Sequence, residues 1–173
     1  MINFDKYTNY VRLAFKEYDR CIVKSKVKND ELGLEILIIV PKGHPQKPEA
    51  SGELAIKFDQ DTIGFFGDFL ADDYVDWDDN TWEKYTEKEI YGFLDKKIAE
   101  YKYYVDNGYF FTYYDDSGKI ENLVAEVYTG DVEGLDYKKI YLQNGSESDY
   151  EKVKSVTVTN FYGDIIVENK ILH

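Results

Sequence analysis

Residues 86–108 read TEKEIYGFLDKKIAEYKYYVDNG, and this stretch decides where helix gives way to sheet. Thr86 followed three positions later by Glu89 is a capping box, which satisfies orphan N–H groups at a helix start. Ile90, Phe93, Leu94, Ile98, Tyr101 and Val105 then recur at spacings of three and four, one apolar stripe on a helical period. Asn107-Gly108 offers a left-handed stop. The spacing predicts a helix over about residues 87–106.

Working outward, the segments on either side read differently. Downstream, YFFTYY and IENLVAEVYT flank the turn Asp115-Asp116-Ser117-Gly118 and predict a hairpin. Further strands are predicted at YKKIYL, VKSVTVTNFY and DIIVENKIL, separated by QNGSES and Gly163-Asp164. Upstream, ELAIKFD and TIGFFGDFL predict two strands that pair. CIVKSKVK and LGLEILIIV predict another hairpin about Asn29-Asp30-Glu31, ended by the proline-bearing loop PKGHPQKPEASG. At the start, Phe4, Tyr7, Val11, Ala14, Phe15 and Tyr18 share one face of a helix over about residues 3–19. No internal repeat, low-complexity tract or linker interrupts the chain. The expectation is an α+β fold, a single domain over residues 1–173, with a largely antiparallel sheet and two main helices.

The 173 residues suffice for a real core, and 17% aromatic content argues for a folded chain. The longest apolar run, Ile36 to Val40, is far short of the roughly 20 residues of a membrane helix. The N-terminus shows no secretory signal, and Cys21, alone, cannot form an internal disulfide; as an isolated strand cysteine it reads as a small buried hydrophobe. Both features point to the cytoplasm.

Net charge is −13, and it is unevenly spread. Residues 1–60 carry 10 basic and 9 acidic side chains, residues 61–150 carry 8 and 22, and residues 151–173 carry 3 and 3. The middle segment therefore holds the whole excess. Its field repels phosphate backbones, which excludes nucleic acid as a partner, and steers basic proteins inward.

The charge is densest in FGDFLADDYVDWDDNTWE, residues 66–83, which holds seven carboxylates and no lysine or arginine. A calcium-loop pattern fits in part: Asp76, Asp78 and Asn80 take its first, third and fifth positions and Glu87 its twelfth. Thr81 stands where the sharp turn requires glycine, and Lys84 occupies the ninth position, so the pattern breaks. An acidic loop without metal or cofactor is the plainer expectation. Tyr74, Trp77 and Trp82 are interleaved with these carboxylates, and tyrosine and tryptophan are the anchors that protein interfaces favour. Taken singly, Trp77, Trp82 and Tyr101 also read as core residues. The patch expected to meet a basic partner is Asp72, Asp73, Tyr74, Asp76, Trp77, Asp78, Asp79 and Trp82, with Trp77 and the neighbouring aspartates at its centre.

Chemistry finds little footing. Nucleophilic catalysis needs an activated Ser, Thr or Cys with a base in reach, and the two histidines are His44 in the proline loop and the terminal His173. No GxSxG, GxGxxG, HExxH or phosphate-loop pattern occurs. No catalytic residue is assigned. A small hydrolase or divalent-cation protein and a structural or assembly module are the alternatives to a non-enzymatic binder. Mimicry of nucleic-acid charge is a further option, which would require carboxylates spaced like phosphates.

The order LAIKF, TIGFFGDFLADDYVDW, EKEIYGFLDKKIAEYKYY and YFFTYYDDSGKI, over about residues 52–120, resembles small immunity proteins of bacterial polymorphic-toxin systems. The resemblance implies a small, acidic, cytoplasmic inhibitor that neutralises a co-produced toxin, often a basic nuclease, by binding it. Some members of that group carry a histidine after the second strand of this pattern, where this chain has Asp72 and Asp73.

Overall fold

Thr86 does what its spacing predicts. Its hydroxyl accepts from the Glu89 N–H at 3.3 Å while the Glu89 carboxylate accepts from the Thr86 N–H at 2.8 Å, a closed capping box. In the computed structural model, residues 5–29, 34–41, 54–59, 62–67, 73–76 and 85–173 are described. They divide into two compact units, the first within Met1–Pro45 and Ser51–Tyr103, the second within Gln46–Ala50 and Tyr104–His173. The architecture is α+β and antiparallel as expected, with the strands divided between two sheets.

The first unit opens with helix α1, Asp5–Ala14, shorter than the predicted 3–19. Beyond Ala14 the backbone tightens into three-residue turns, Lys16 N–H to Leu13 O at 3.1 Å and Tyr18 N–H to Phe15 O at 3.1 Å. The apolar period survives that change, because Phe15 is buried with Tyr7 and Val11. Five strands follow as an antiparallel meander in chain order: β1 Cys21–Asn29, β2 Leu34–Pro41, β3 Leu54–Phe58, β4 Thr62–Gly67 and β5 Asp73–Asp76. Leu37, Ile38, Ile39 and Val40 on β2 are all buried, so both faces of this strand are covered. That explains why its sequence is a continuous apolar run. Ile56, Phe58, Ile63 and Phe65 extend the core across β3 and β4, and Cys21 at the head of β1 is buried as expected.

Helix α2 runs Glu87–Asn107. Ile90, Leu94, Ile98 and Tyr101 bury its predicted stripe; Tyr101 meets Phe65 edge to face at 5.7 Å and donates its hydroxyl to Ala55 O at 2.7 Å. Tyr101 is thus a core residue with a satisfied polar tip. Tyr91 packs against Tyr7 and Tyr10 of α1 at 5.3 and 4.8 Å. Gly108 is not the left-handed stop expected of it. It is the first residue of the next strand, where its carbonyl accepts from Phe161 N–H at 3.0 Å, and the last helical carbonyl, Asn107 O, accepts from Tyr128 N–H at 3.0 Å.

The second unit holds the four-stranded sheet, ordered β7-β6-β8-β9, from β6 Gly108–Tyr114, β7 Ile120–Val127, β8 Ser155–Asn160 and β9 Ile165–Ile171. The β6–β7 hairpin turns where predicted: the Asp115 carboxylate accepts from the Ser117 and Lys119 N–H groups at 2.8 and 2.9 Å, and Gly118 takes φ +80°. These bonds hold the Asp115 carboxyl below its ordinary range, the Ser117 hydroxyl contributing most. YKKIYL, expected as a strand, is helix α3, Tyr137–Tyr141. Asp136 caps it by accepting from Lys139 N–H at 3.1 Å, and Tyr137, Ile140 and Tyr141 are buried at the i, i+3, i+4 spacing of a helix. A second short helix, α4 Glu147–Tyr150, is capped by Ser146. The core of this unit joins Phe111, Tyr113, Val124, Val156 and Val158 of the sheet to Tyr137, Ile140, Tyr141, Tyr150 and Val153. No helix among the described residues is long and apolar enough to cross a membrane.

Candidate functional site

The acidic stretch expected to be a loop contains a strand. β5 pairs with β4 in unbroken antiparallel register, Asp73 opposite Phe65, Tyr74 opposite Gly64, Val75 opposite Ile63 and Asp76 opposite Thr62. Tyr74 and Val75 at its centre are residue types that suit a pleated surface. Among the described residues β5 is the last strand in its sheet, which puts Asp73, Tyr74 and Asp76 of the candidate patch at the end of the strand order. Tyr74 and Asp76 occupy register positions of one parity and Asp73 the other. Asp72, Trp77, Asp78, Asp79 and Trp82 lie outside the described residues, as does Asn80 of the partial calcium pattern.

Glu87, the twelfth position of that pattern, is the first residue of α2, with its carboxylate 3.2 Å from the Lys6 ammonium. The same hydrogen bond lifts the Lys6 pKa above its ordinary value. Glu87 therefore has a cationic partner of its own in α1. Among the described residues no group of three or more His, Cys, Asp or Glu side chains is placed to hold a metal ion.

Two polar clusters escaped the sequence reading. In the first unit, Glu35 is nearly buried, with 7% of its side chain exposed, against 35% for Arg12. Arg12 reaches from α1 to the Val23 carbonyl at 3.1 Å, the Ser25 hydroxyl at 2.8 Å and the Glu35 carboxylate at 3.3 Å; Ser25 also donates to Glu35 at 2.6 Å. The buried charge is thereby paired and hydrogen-bonded, as burial demands. Its role is to fasten α1 to β1 and β2. Nothing in local sequence announces it, since the partners are separated by 23 and 10 residues.

In the second unit, an open cleft of about 550 Å³ lies between α3, α4 and the end of β9, with Leu135, Tyr137, Lys138, Tyr150, Lys170 and His173 among its walls. The Lys138 ammonium sits 5.5 Å from the Tyr150 ring centre and pairs with Glu147 at 2.5 Å; Lys170 sits 4.8 Å from the Tyr137 ring and donates to Glu133 O at 2.7 Å. Glu147 raises the Lys138 pKa, keeping the amine charged. His173 meets Tyr150 edge to face at 5.2 Å. These contacts engage the cations internally and brace α3 against α4. The Asp136 cap spacing was the one sequence signal that could have located this wall.

Comparison with protein-family models, with curated proteins and with solved structures gives no match.

Proposed function

We propose that this chain is a non-enzymatic, acidic protein-binding domain of the immunity type, acting in the cytoplasm by binding and neutralising a basic toxin. One observation carries the reading: residues 61–150 hold 22 acidic against 8 basic side chains, and the densest acidic stretch includes the edge strand β5. Opposite charge in the partner raises the encounter rate, while a few desolvated aromatic and carboxylate contacts set the dissociation rate. No chemistry by this chain is required. Replacing Asp76, Asp78 and Asp79 by Asn is expected to slow association with the captured basic partner by about tenfold or more at low salt and to flatten its salt dependence. Association that is equally fast and equally salt-sensitive in the variant would dismiss the reading.

A second reading, an assembly module, is favoured by the exposed isoleucines of edge strand β9, Ile165 at 57% and Ile171 at 69% exposure. Under it, Ile165→Lys disrupts complex formation and the aspartate variant leaves it intact.

A further inference from the structure

Beyond the capture of a basic partner, we propose that the chain pairs with a second copy of itself through the outer edge of β7, joining two four-stranded sheets into one across a two-fold axis. Hydrogen-bond parity carries this. Tyr128 N–H donates to Asn107 O one step past the β6–β7 ladder and in its register, so residues 124 and 126 spend their main-chain groups on β6 while 123, 125 and 127 turn theirs outward. Leu123 agrees with that parity: its N–H donates to the side chain of the neighbouring Asn122 at 2.9 Å, outside the ladder. Among the described residues no strand lies beyond β7, and the outward groups of Ala125 and Val127 have no hydrogen-bond partner. Such a row is a template for a further strand.

Residues 122–127 pair with β6 without a register shift and contain neither proline nor lysine. At the far side of the same sheet the β8–β9 register shifts twice and Asn169 takes φ +43°, which interrupts the outward row of β9. Charge and symmetry then choose the occupant. Little on β7 draws a cationic segment, because Glu121 already pairs with Lys119 at 3.4 Å. The other carboxylate of the strand, Glu126, has no ion pair or hydrogen bond among the described residues. With the axis at Val124, antiparallel pairing sets Leu123 opposite Ala125 of the second copy and Asn122 opposite Glu126 of the second copy, each twice, with no like charges face to face. The Asn122 amide donors then meet that carboxylate, while Leu123 N–H passes from Asn122 to the facing Ala125 carbonyl. Each copy carries −13, so repulsion opposes the pairing and salt screens it. Self-association therefore tightens with salt, whereas capture of a basic partner loosens.

The test follows the full chain by sedimentation equilibrium at low and high salt, with hydrogen exchange read at single amides. The expected result is a dimer that strengthens with salt and protects the amides of residues 123, 125 and 127 as protein concentration rises, those of 124 and 126 being protected already on dilution. Ala125→Pro removes an outward N–H and no ladder bond; it is expected to weaken the dimer about tenfold or more, with an unchanged melt at dilutions where the chain is monomeric. Asn122→Glu sets like charges opposite each other and is expected to weaken the dimer similarly, with recovery in the double variant Asn122→Glu, Glu126→Lys. That charge pair decides the matter should Ala125→Pro unfold the chain. A chain that stays monomeric to about 1 mM at high salt, a dimer indifferent to these variants, or a dimer whose protection falls on β9 would overturn the proposal. Capture of a basic partner stands apart from all of these results, since its salt dependence runs the other way.

Discussion

A buried carboxylate is tolerable only while its partners stay in place, and at Glu35 the partner is an arginine from a different element. Arg12→Met is therefore expected to destabilise the chain by about 2 kcal/mol, less than the 3–5 typical of a fully enclosed pair because Arg12 is partly solvated. The double variant Arg12→Met, Glu35→Met should recover most of that loss, since an apolar pair needs no charge compensation. Urea midpoints of the two variants, with unchanged slopes, check this. At Gly145 the constraint is space: an added Cβ would lie 2.3 Å from the Tyr141 ring, and that ring is buried. Gly145→Ala should cost about 1–3 kcal/mol through overpacking, read as a lower melting temperature.

At the scale of the element, the capping box of α2 links sequence, stability and pH. Thr86→Ala removes an acceptor from the Glu89 N–H and is expected to cost about 1 kcal/mol in a thermal melt. The Thr86 N–H, with its hydroxyl, lowers the Glu89 pKa. A depressed carboxyl contributes stability that is fully present above its unfolded value and is lost as pH falls through its folded value. Glu89→Gln should therefore flatten the acid limb of stability below the ordinary glutamate range and leave the neutral region's pH slope unchanged. Elements of this kind were legible because their signals are local. The α2 stripe, the Asp115 turn and the β-branched runs all lie within a few residues of the structure they specify. YKKIYL reads as a strand because Tyr137, Ile140 and Tyr141 are good strand formers, while their i, i+3, i+4 spacing behind the Asp136 cap carries the helical period. Asp73–Asp76 was read through its charge, whereas pairing with β4 decides its conformation. The Arg12–Glu35 cluster was illegible, since tertiary proximity leaves no mark in local spacing.

At the scale of the whole molecule, the second unit has a core rich in tyrosine. Burial pushes the pKa of Tyr113 far up, and raises those of Tyr137, Tyr141 and Tyr150 in the second unit. Groups with raised folded values contribute stability below the unfolded tyrosine value near 10 and lose it as pH climbs toward the folded ones. The second unit is thus expected to melt in alkali above about pH 10, with tyrosinate absorbance appearing together with loss of near-ultraviolet dichroism. Gradual ionisation of these tyrosines without unfolding would contradict the packing described.

Cys21 has a consequence of a different kind. The chain's single thiol is buried at the head of β1, so alkylating reagents can reach it only when that strand lets go. Its modification rate is a built-in clock for breathing of the first unit, read without any introduced label. Slowing of that clock when a partner is added would time how firmly binding at the far strand of the sheet holds the near one shut.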